Sequence, residues 1–191
     1  MSTCVAIVRL MSTREDLLLA AEALLNEGGP TAVTLRGVGK AAGVSHNAPY
    51  HHFENKSALL AAVAARELEA RAEIWREAAS TDDGIRCALV TFAKRAMERP
   101  HLFRLVYATF AEPGDQLPAA AAVAASAFAT AVLAAQARKE LPSGDPGRIG
   151  ALMLAALHGA VSLAGSGHLA KHGGADPVLL IHDLLDRLRL S

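Results

Sequence analysis

Apolar residues recur at helical spacing along most of the chain, and short segments rich in Gly and Pro interrupt the pattern. Leu17, Ala21 and Leu25 share one face of a first helix, which Gly28-Gly29-Pro30 should end near Glu27. Strand-like alternation is almost absent. The pattern predicts about nine helices, near residues 12–27, 34–42, 46–52, 56–79, 82–99, 100–112, 118–140, 146–163 and 176–190. We therefore expect an all-α fold.

The segment TLRGVGKAAGVSHNAPYHHFENK, residues 34–56, has the outline of a helix-turn-helix unit. Thr34 can cap the first short helix, and Gly43 suits the left-handed turn that should end it. Ser45 is the expected N-cap of a second helix that begins at His46.

That short second helix would expose side chains whose size and polarity suit the major groove of DNA. Pro49 lies in its first turn, where it removes one hydrogen bond and leaves the turn irregular. The side chains expected to be exposed are His46, Asn47, Ala48, Tyr50 and His51.

A lysine at the start of the next helix gives a second indication. Asn55 is the expected cap of that helix, so Lys56 takes the first position, where the helix dipole disfavours positive charge. A DNA phosphate bound by the helix amides and the ammonium together would reverse this preference. The alternative is a solvated surface lysine, and both interpretations remain open at this point.

Residues 13–66 contain TREDLLLAAEALLNEGG, TLRGVGKAAGVS and APYHHFENKSALL, with the pattern Y-x-x-F-x-x-K directly before a long helix. These motifs resemble the N-terminal domain of the TetR family of transcriptional regulators. The resemblance implies that Tyr50 and Lys56 hold phosphates and that Arg36, His46, Asn47 and Ala48 lie nearest the bases. The candidate DNA-binding residues are Thr34, Arg36, Ser45, His46, Asn47, Ala48, Tyr50, His51, His52 and Lys56.

The resemblance also implies an architecture, in which an N-terminal three-helix domain is joined by a long helix to a C-terminal helical bundle. We expect a tail over residues 1–12, a DNA-binding domain over 13–58 and an effector-binding and dimerisation domain over 59–191. The sequence departs from the family pattern at Gly37 and Gly39. Each Gly costs up to about 1 kcal/mol relative to Ala, so the first short helix is expected to be loose without DNA.

The charge balance argues against a general polyanion binder. The 191 residues carry 19 Lys and Arg against 19 Asp and Glu, and residues 1–60 carry five of each sign. DNA affinity must then come from placed contacts and dimerisation. Cys4 and Cys87 are too few for a disulfide framework or a metal site, so we expect a reduced cytoplasmic location and no cofactor.

Two uncharged stretches, residues 117–137 and 149–170, are long enough to span a bilayer, which needs about 20 residues. Ala dominates both and contributes little to insertion, so we expect buried bundle helices and no membrane association. The first ten residues lack the features of a secretory signal. They are expected to form a disordered tail or to reflect a start site chosen upstream of Met11.

Aromatic residues indicate a candidate effector pocket. Large rings among many Ala leave irregular apolar space, which a few polar groups could convert into a small-molecule site. Core packing is the alternative, and for His158 the alternative is a core histidine satisfied by a carbonyl. His158-Gly159 is similar to a Trp-His-Gly segment of one TetR branch, although Leu157 replaces the Trp. The pocket candidates are Phe92, Phe103, Tyr107, Phe110, Phe128, Met153 and His158.

The last two predicted helices have apolar faces too wide for one partner. Pairing with a symmetry mate would form a four-helix interface, as it does in the family. The alternative is burial within the same domain. The interface candidates are Leu152, Ala156, Ala160, Leu163, Val178, Ile181, Leu184, Leu185 and Leu188.

The residues and the resemblance together predict a sequence-specific, homodimeric repressor that a small-molecule effector releases from a palindromic double-stranded DNA operator. An all-α enzyme is one alternative, supported only by eight His, and HExxH, a nucleophile elbow and a Gly-rich phosphate loop are all missing. No catalytic residue is therefore predicted. A helical interaction module that does not bind DNA is the other alternative, and the neutral charge is its only support.

Overall fold

The computed structural model describes residues 2–110, 113–171 and 176–189, with side chains from residue 13 onward. Within these residues the chain forms ten helices and no strand, as expected for an all-α protein. The helices are α1 (Ser2–Ala32), α2 (Leu35–Ala41), α3 (Ala48–His52), α4 (Lys56–Ser80), α5 (Gly84–Glu98), α6 (Pro100–Leu105), α7 (Gln116–Ala137), α8 (Pro146–Gly165), α9 (His168–Lys171) and α10 (Pro177–Arg189).

The first helix differs from the prediction at both ends. It begins at Ser2, so the expected disordered tail over residues 1–12 is wrong for the described residues, whose backbone is helical. The predicted stop is a kink: Gly29 has φ 70° and ψ −171°, and a further turn ends at Ala32. Pro30 can open this new turn, because the first residues of a helix need no hydrogen-bond donor.

One helix was not predicted. The segment α9 has only four residues, so it is too short to show a periodic apolar face in the sequence. The other nine correspond one to one to the predicted helices.

The chain divides into two compact units. Unit 1 comprises residues 1–67 and 101–120, and unit 2 comprises residues 68–100 and 121–191, so α4 contributes to both. The predicted division at residue 58 had left residues 101–120 with the C-terminal part. They belong to unit 1 because Leu102 and Leu105 are buried in the same core as Leu17, Leu25 and Leu59.

Unit 1 has α1, α2 and α3 packed against one another. The predicted inner face of α1 is confirmed, since Leu17, Ala21 and Leu25 are fully buried. Val38 of α2 and Phe53, which follows α3, join the same core. One apolar cluster therefore holds α1, α2 and the end of α3 together.

Unit 2 contains α5, α8 and α10 in mutual contact. Trp75 is buried, and its ring lies 4.6 Å from the ring of Phe92 and 4.6 Å from that of Phe128, measured between centroids. Met153 and Ile181 of the same unit are also fully buried. This core combines one aromatic cluster with many small side chains.

The two apolar helices of the sequence are only partly covered. Both α7 and α8 are long and apolar enough to cross a membrane, and 28% of the most apolar window of each is buried. The expected burial of these bundle helices is therefore only partial in the single chain. Leu133 of α7 is 54% exposed, and Leu152 of α8 is 50% exposed.

Candidate nucleic-acid interface

The start of α2 is capped as predicted. Thr34 has extended backbone angles, and its Oγ1 accepts a hydrogen bond of 3.0 Å from the Gly37 amide. This bond satisfies one of the free amides at the helix N-terminus. The cap thereby fixes where the chain enters the helix-turn-helix corner, residues 34–58.

The turn between α2 and α3 is a glycine C-cap. Gly43 has φ +67°, the left-handed conformation predicted for it. Its amide donates to the Lys40 carbonyl at 3.2 Å, and the Val44 amide donates to the Gly39 carbonyl at 3.1 Å. This pair of bonds is a Schellman motif, which ends a helix and reverses the chain in a defined way.

The second helix begins later than predicted. Its first residue is Ala48, not His46, and Asn47 is its N-cap without a side-chain bond. The Ser45 carbonyl accepts from the Ala48 amide at 3.0 Å, and the Ser45 hydroxyl accepts no capping bond in this described turn. Pro49 has no N–H, so it cannot form the α-helical bond to the Ser45 carbonyl, and the Ala48 amide closes this turn one residue earlier.

The DNA-binding candidates lie on α2, on the turn, on α3 and at the start of α4. Tyr50 is 55% exposed. Ala48, His52 and Lys56 are half-buried. The exposed members of the set are Thr34, Arg36, Ser45, His46, Asn47, Tyr50 and His51.

The start of α4 agrees with the predicted cap. Asn55 Oδ1 accepts from the Ala58 amide at 2.9 Å, and Lys56 is the first helical residue. Within the described residues, Lys56 forms no ion pair. A cation therefore stands at a helix N-terminus without an acidic partner, which is the arrangement that a bound phosphate would stabilise.

His52 has a different environment from the other histidines of this region. It borders a groove of about 270 Å³ within unit 1, together with Arg14, Phe53 and Gln116. The pKa of His52 lies below its ordinary value of 6.5. Burial is the largest cause, followed by the positive charge of Arg14 and by the charge of His51.

Sequence reasoning missed Arg14 in this region, because helical spacing only placed it on α1. Its guanidinium lies 5.5 Å from the centre of the Phe53 ring and donates to Gln116 Oε1 at 2.8 Å. Arg14 therefore ties α1 to both the end of α3 and the start of α7.

The effector candidates divide between the two units. Phe103, Tyr107 and Phe110 belong to unit 1, where the first two rings lie 5.8 Å apart and Tyr107 is 54% exposed. Phe92 and Phe128 belong to unit 2 and pack on Trp75.

The two remaining effector candidates, Met153 and His158, lie on α8 in unit 2. Met153 is fully buried. His158 Nδ1 lies 2.8 Å from the Leu154 carbonyl oxygen, which is the backbone contact expected of a core histidine.

The dimer candidates also differ in burial. Ala160 of α8 and Ile181 and Leu185 of α10 are buried within the chain itself. Leu152 and Leu163 of α8 are 50% and 45% exposed. The half-buried members are Ala156, Val178, Leu184 and Leu188.

Comparisons with known families cover most of the chain. A family model described as "Bacterial regulatory proteins, tetR family" matches residues 17–63. A model described as "Tetracyclin repressor-like, C-terminal domain" matches residues 85–188. The comparison with curated proteins found no matching relative.

Solved structures with a similar fold include regulators. A protein of unknown function from Rhodococcus sp. RHA1 is 27% identical, with 93% of each chain covered and a TM-score of 0.74. SmeT, the repressor of the Stenotrophomonas maltophilia multidrug efflux pump SmeDEF, is 27% identical, with 90% of this chain and 87% of SmeT covered and a TM-score of 0.59. The SmeT–triclosan complex is 24% identical, with 91% and 90% covered and a TM-score of 0.64.

Proposed function

Because the chain belongs to the tetR family of bacterial regulatory proteins, we propose that it is a homodimeric repressor that a small molecule releases from a palindromic operator. The family consists of DNA-binding transcription regulators, not enzymes, and the protein is such a regulator. A cytoplasmic location follows from DNA as the target. The assignment to the Trp-His-Gly branch stays a prediction.

The capped corner with its exposed polar side chains carries the proposal. Thr34 and Asn55 cap the helices on either side of α3, and Gly43 forms the left-handed turn before it, so the backbone around α3 has a defined shape. Asn47 and Tyr50 are exposed on or beside α3. We assign base contacts to Arg36, His46, Asn47 and Ala48. Phosphate contacts are assigned to Tyr50 and Lys56. The remaining candidates are assigned to the edge of the DNA-binding surface: Thr34, Ser45, His51 and His52.

Two substitutions separate these roles. Lys56→Ala should weaken binding to operator and random DNA alike and reduce the salt slope by about one, since a phosphate contact carries no base information. Asn47→Ala should lose about 1–3 kcal/mol of discrimination at one position in each half-site. Fluorescence anisotropy over a salt series measures both, on an operator selected with the wild-type protein.

The matched control is Lys94→Ala, which removes an exposed Lys from α5 and should leave both affinities nearly unchanged. Equal losses on operator and random DNA after Asn47→Ala would contradict the base contact. A wild-type protein that selects no sequence from a random pool would overturn the function itself.

Exposed apolar surface on α8 supports the homodimer. Leu152 and Leu163 are exposed in the single chain, and residues 149–165 contain no charged side chain. A second copy would cover this face with the same face, as two-fold symmetry requires. We assign the half-buried residues of α10, Val178, Leu184 and Leu188, to the border of this dimer interface.

Light scattering on a double variant, Leu152→Arg with Leu163→Arg, tests the dimer. We expect a helical monomer with greatly reduced operator affinity, because the two half-sites of an operator need two linked DNA-binding domains. Leu19→Arg is the control, since Leu19 is 48% exposed but lies on α1. A double variant that stays dimeric would place the interface elsewhere.

The small-molecule response is assigned to the aromatic residues of unit 2. Trp75, Phe92 and Phe128 form the aromatic cluster, and Met153 and His158 complete the predicted set in that unit. A ligand among them would be apolar with one hydrogen-bonding group. SmeT in complex with triclosan supports a phenol of this kind as the first probe.

Trp75 is the only tryptophan, so its emission reports directly on this cluster. Triclosan or a related phenol should change the emission and lower operator affinity roughly 5- to 150-fold at saturation. His158→Ala should keep operator binding and weaken the release of the operator by the phenol. Tyr107→Ala tests the unit 1 candidates in the same way: Phe103, Tyr107 and Phe110. Release of DNA without any change in emission would exclude the unit 2 cluster.

A further inference from the structure

The groove of about 270 Å³ in unit 1 combines a cationic part with an apolar wall. Arg14 and His52 supply the groups that can carry positive charge. The apolar wall is formed by Ala58, Ala62 and Pro113. Small-molecule sites in proteins begin at about 300 Å³, so a groove of this volume suits a small ligand.

Arg14 has hydrogen-bond donors that its neighbours do not use. A guanidinium carries several N–H donors, and within the residues that the structure describes Arg14 donates only to Gln116 Oε1, at 2.8 Å. The Phe53 ring supports the guanidinium, with the ring centre 5.5 Å from Arg14 Cζ. The charge of Arg14 is therefore held at the groove without a carboxylate partner from the described part of the chain.

His52 lies close enough to Arg14 to respond to this charge. Burial is the largest cause of its lowered pKa and the charge of Arg14 is the next, and no acidic side chain of the described residues opposes them. Glu54 and Asp115 also border the groove, but both are exposed and therefore hydrated. An anion beside Arg14 would offset its charge at His52.

We propose that this groove binds a small organic carboxylate, whose oxygens pair with the guanidinium of Arg14 while its carbon skeleton lies against the apolar wall. A planar guanidinium matches the two oxygens of a carboxylate in spacing and direction. The wall adds the burial of apolar surface, which an inorganic anion cannot use. The groove belongs to unit 1 and the aromatic cluster to unit 2, so this inference does not depend on the proposed effector response.

Three probes titrated into the full isotope-labelled chain test the ligand class by NMR. Benzoate should shift the Gln116 side-chain amide and the His52 imidazole in a saturable way, and it should raise the pKa of His52. Benzamide has the same shape without the charge, and inorganic phosphate has the charge without the apolar body. Each should bind at least about tenfold more weakly than benzoate.

Equal binding of benzamide or phosphate would overturn the ligand class. Benzoate shifts confined to residues of unit 2 would overturn the site, and so would the absence of any saturable shift. Binding in the groove needs no DNA, so these outcomes are separate from the operator selection that tests the proposed function.

Substitutions that each lower the net charge by the same amount test the role of Arg14. Arg14→Met removes the guanidinium and should weaken benzoate binding at least about tenfold. Gln116→Glu places a carboxylate of this chain where the amide oxygen already accepts from Arg14, and it should weaken benzoate binding similarly. Because Gln116 is exposed, this second variant decides if Arg14→Met fails to fold.

Arg104→Met is the matched control, because it removes an exposed arginine of α6 in the same unit. It should leave benzoate binding nearly unchanged. Unchanged benzoate binding by Gln116→Glu would overturn the assignment to Arg14, and an equal loss in Arg104→Met would do the same.

Discussion

The helix-turn-helix corner, residues 34–58, and the bundle of unit 2 are held by different kinds of contact. In the corner, Thr34 bonds to the amide three residues later, and Asn55 does the same. In unit 2, Arg86 bonds to Asp186, 100 residues along the chain. Short-range caps determine a local shape, whereas long-range pairs determine which helices are neighbours.

The long-range network of unit 2 centres on Arg86. Its guanidinium donates to Asp186 Oδ1 at 2.6 Å, and its Nε lies 3.1 Å from Asp83 Oδ2. Its Nη1 lies 3.0 Å from His182 Nδ1, which accepts. Burial alone would lower the pKa of Arg86, but the bond to Asp186 and the charge of Asp83 raise it, so the cation is firmly held.

The largest difference between the two regions should appear on removing Trp75. Trp75→Ala deletes the ring that contacts both Phe92 and Phe128, and it should cost about 3–5 kcal/mol of unfolding free energy. Denaturant unfolding followed by circular dichroism measures this loss. Tyr50→Ala is the aromatic control in the corner; because Tyr50 is 55% exposed, its cost should stay within about 0.5 kcal/mol.

A smaller loss is expected from the ionic network. Arg86→Met should cost about 1–2 kcal/mol, because the Arg86 side chain is only 15% exposed while Asp186, at 64%, remains hydrated. Arg76→Met breaks an exposed pair with Glu73 and should cost at most about 0.5 kcal/mol. Similar losses for both variants in chemical denaturation would show that burial does not matter to this network.

The corner should be sensitive to the loss of one cap. Thr34→Ala removes the bond to the Gly37 amide and should lower stability by about 1 kcal/mol. Thr130→Ala is the control, since the Thr130 hydroxyl bonds to the Ser126 carbonyl inside α7 and caps no helix. Thermal unfolding should rank the two, and a control that is as damaging as the cap variant would argue against the capping role.

Acid should affect the two regions in separate pH ranges, with the smallest effects of the series. The pKa of His52 is lowered, so below its ordinary value of 6.5 the unfolded chain binds more protons and stability falls towards the folded pKa. Burial raises the pKa of Glu140, but bonds from Arg138 and from the Asp83 amide outweigh it and lower the pKa from 4.5. That contribution is present above pH 4.5 and is lost as the pH falls through the folded pKa.

His52→Gln should therefore flatten the stability profile just below pH 6.5, and Glu140→Gln should flatten it only below pH 4.5. Unfolding free energies measured across this range separate the two. A Glu140→Gln profile that changes near pH 6.5 would contradict the assignment.

The sequence by itself determined the local features of the corner. Thr34, Gly43 and Asn55 were predicted as cap, left-handed turn and cap, because each depends only on residues within a few positions. The start of α3 was predicted two residues too early. There the missing N–H of Pro49, also visible in the sequence, outweighed the capping preference of Ser45.

Only the tertiary structure decided which apolar faces meet. Periodicity placed Leu152 and Ile181 alike on apolar faces, yet Leu152 is 50% exposed and Ile181 is 1% exposed. The candidate pocket likewise combined Phe103 and Phe128, which belong to different units, because the sequence shows which aromatic residues share a helical face but not which helices are neighbours. A repeating apolar pattern specifies that one side of a helix avoids water. It cannot specify the partner, because any apolar surface of suitable shape satisfies the same hydrophobic driving force.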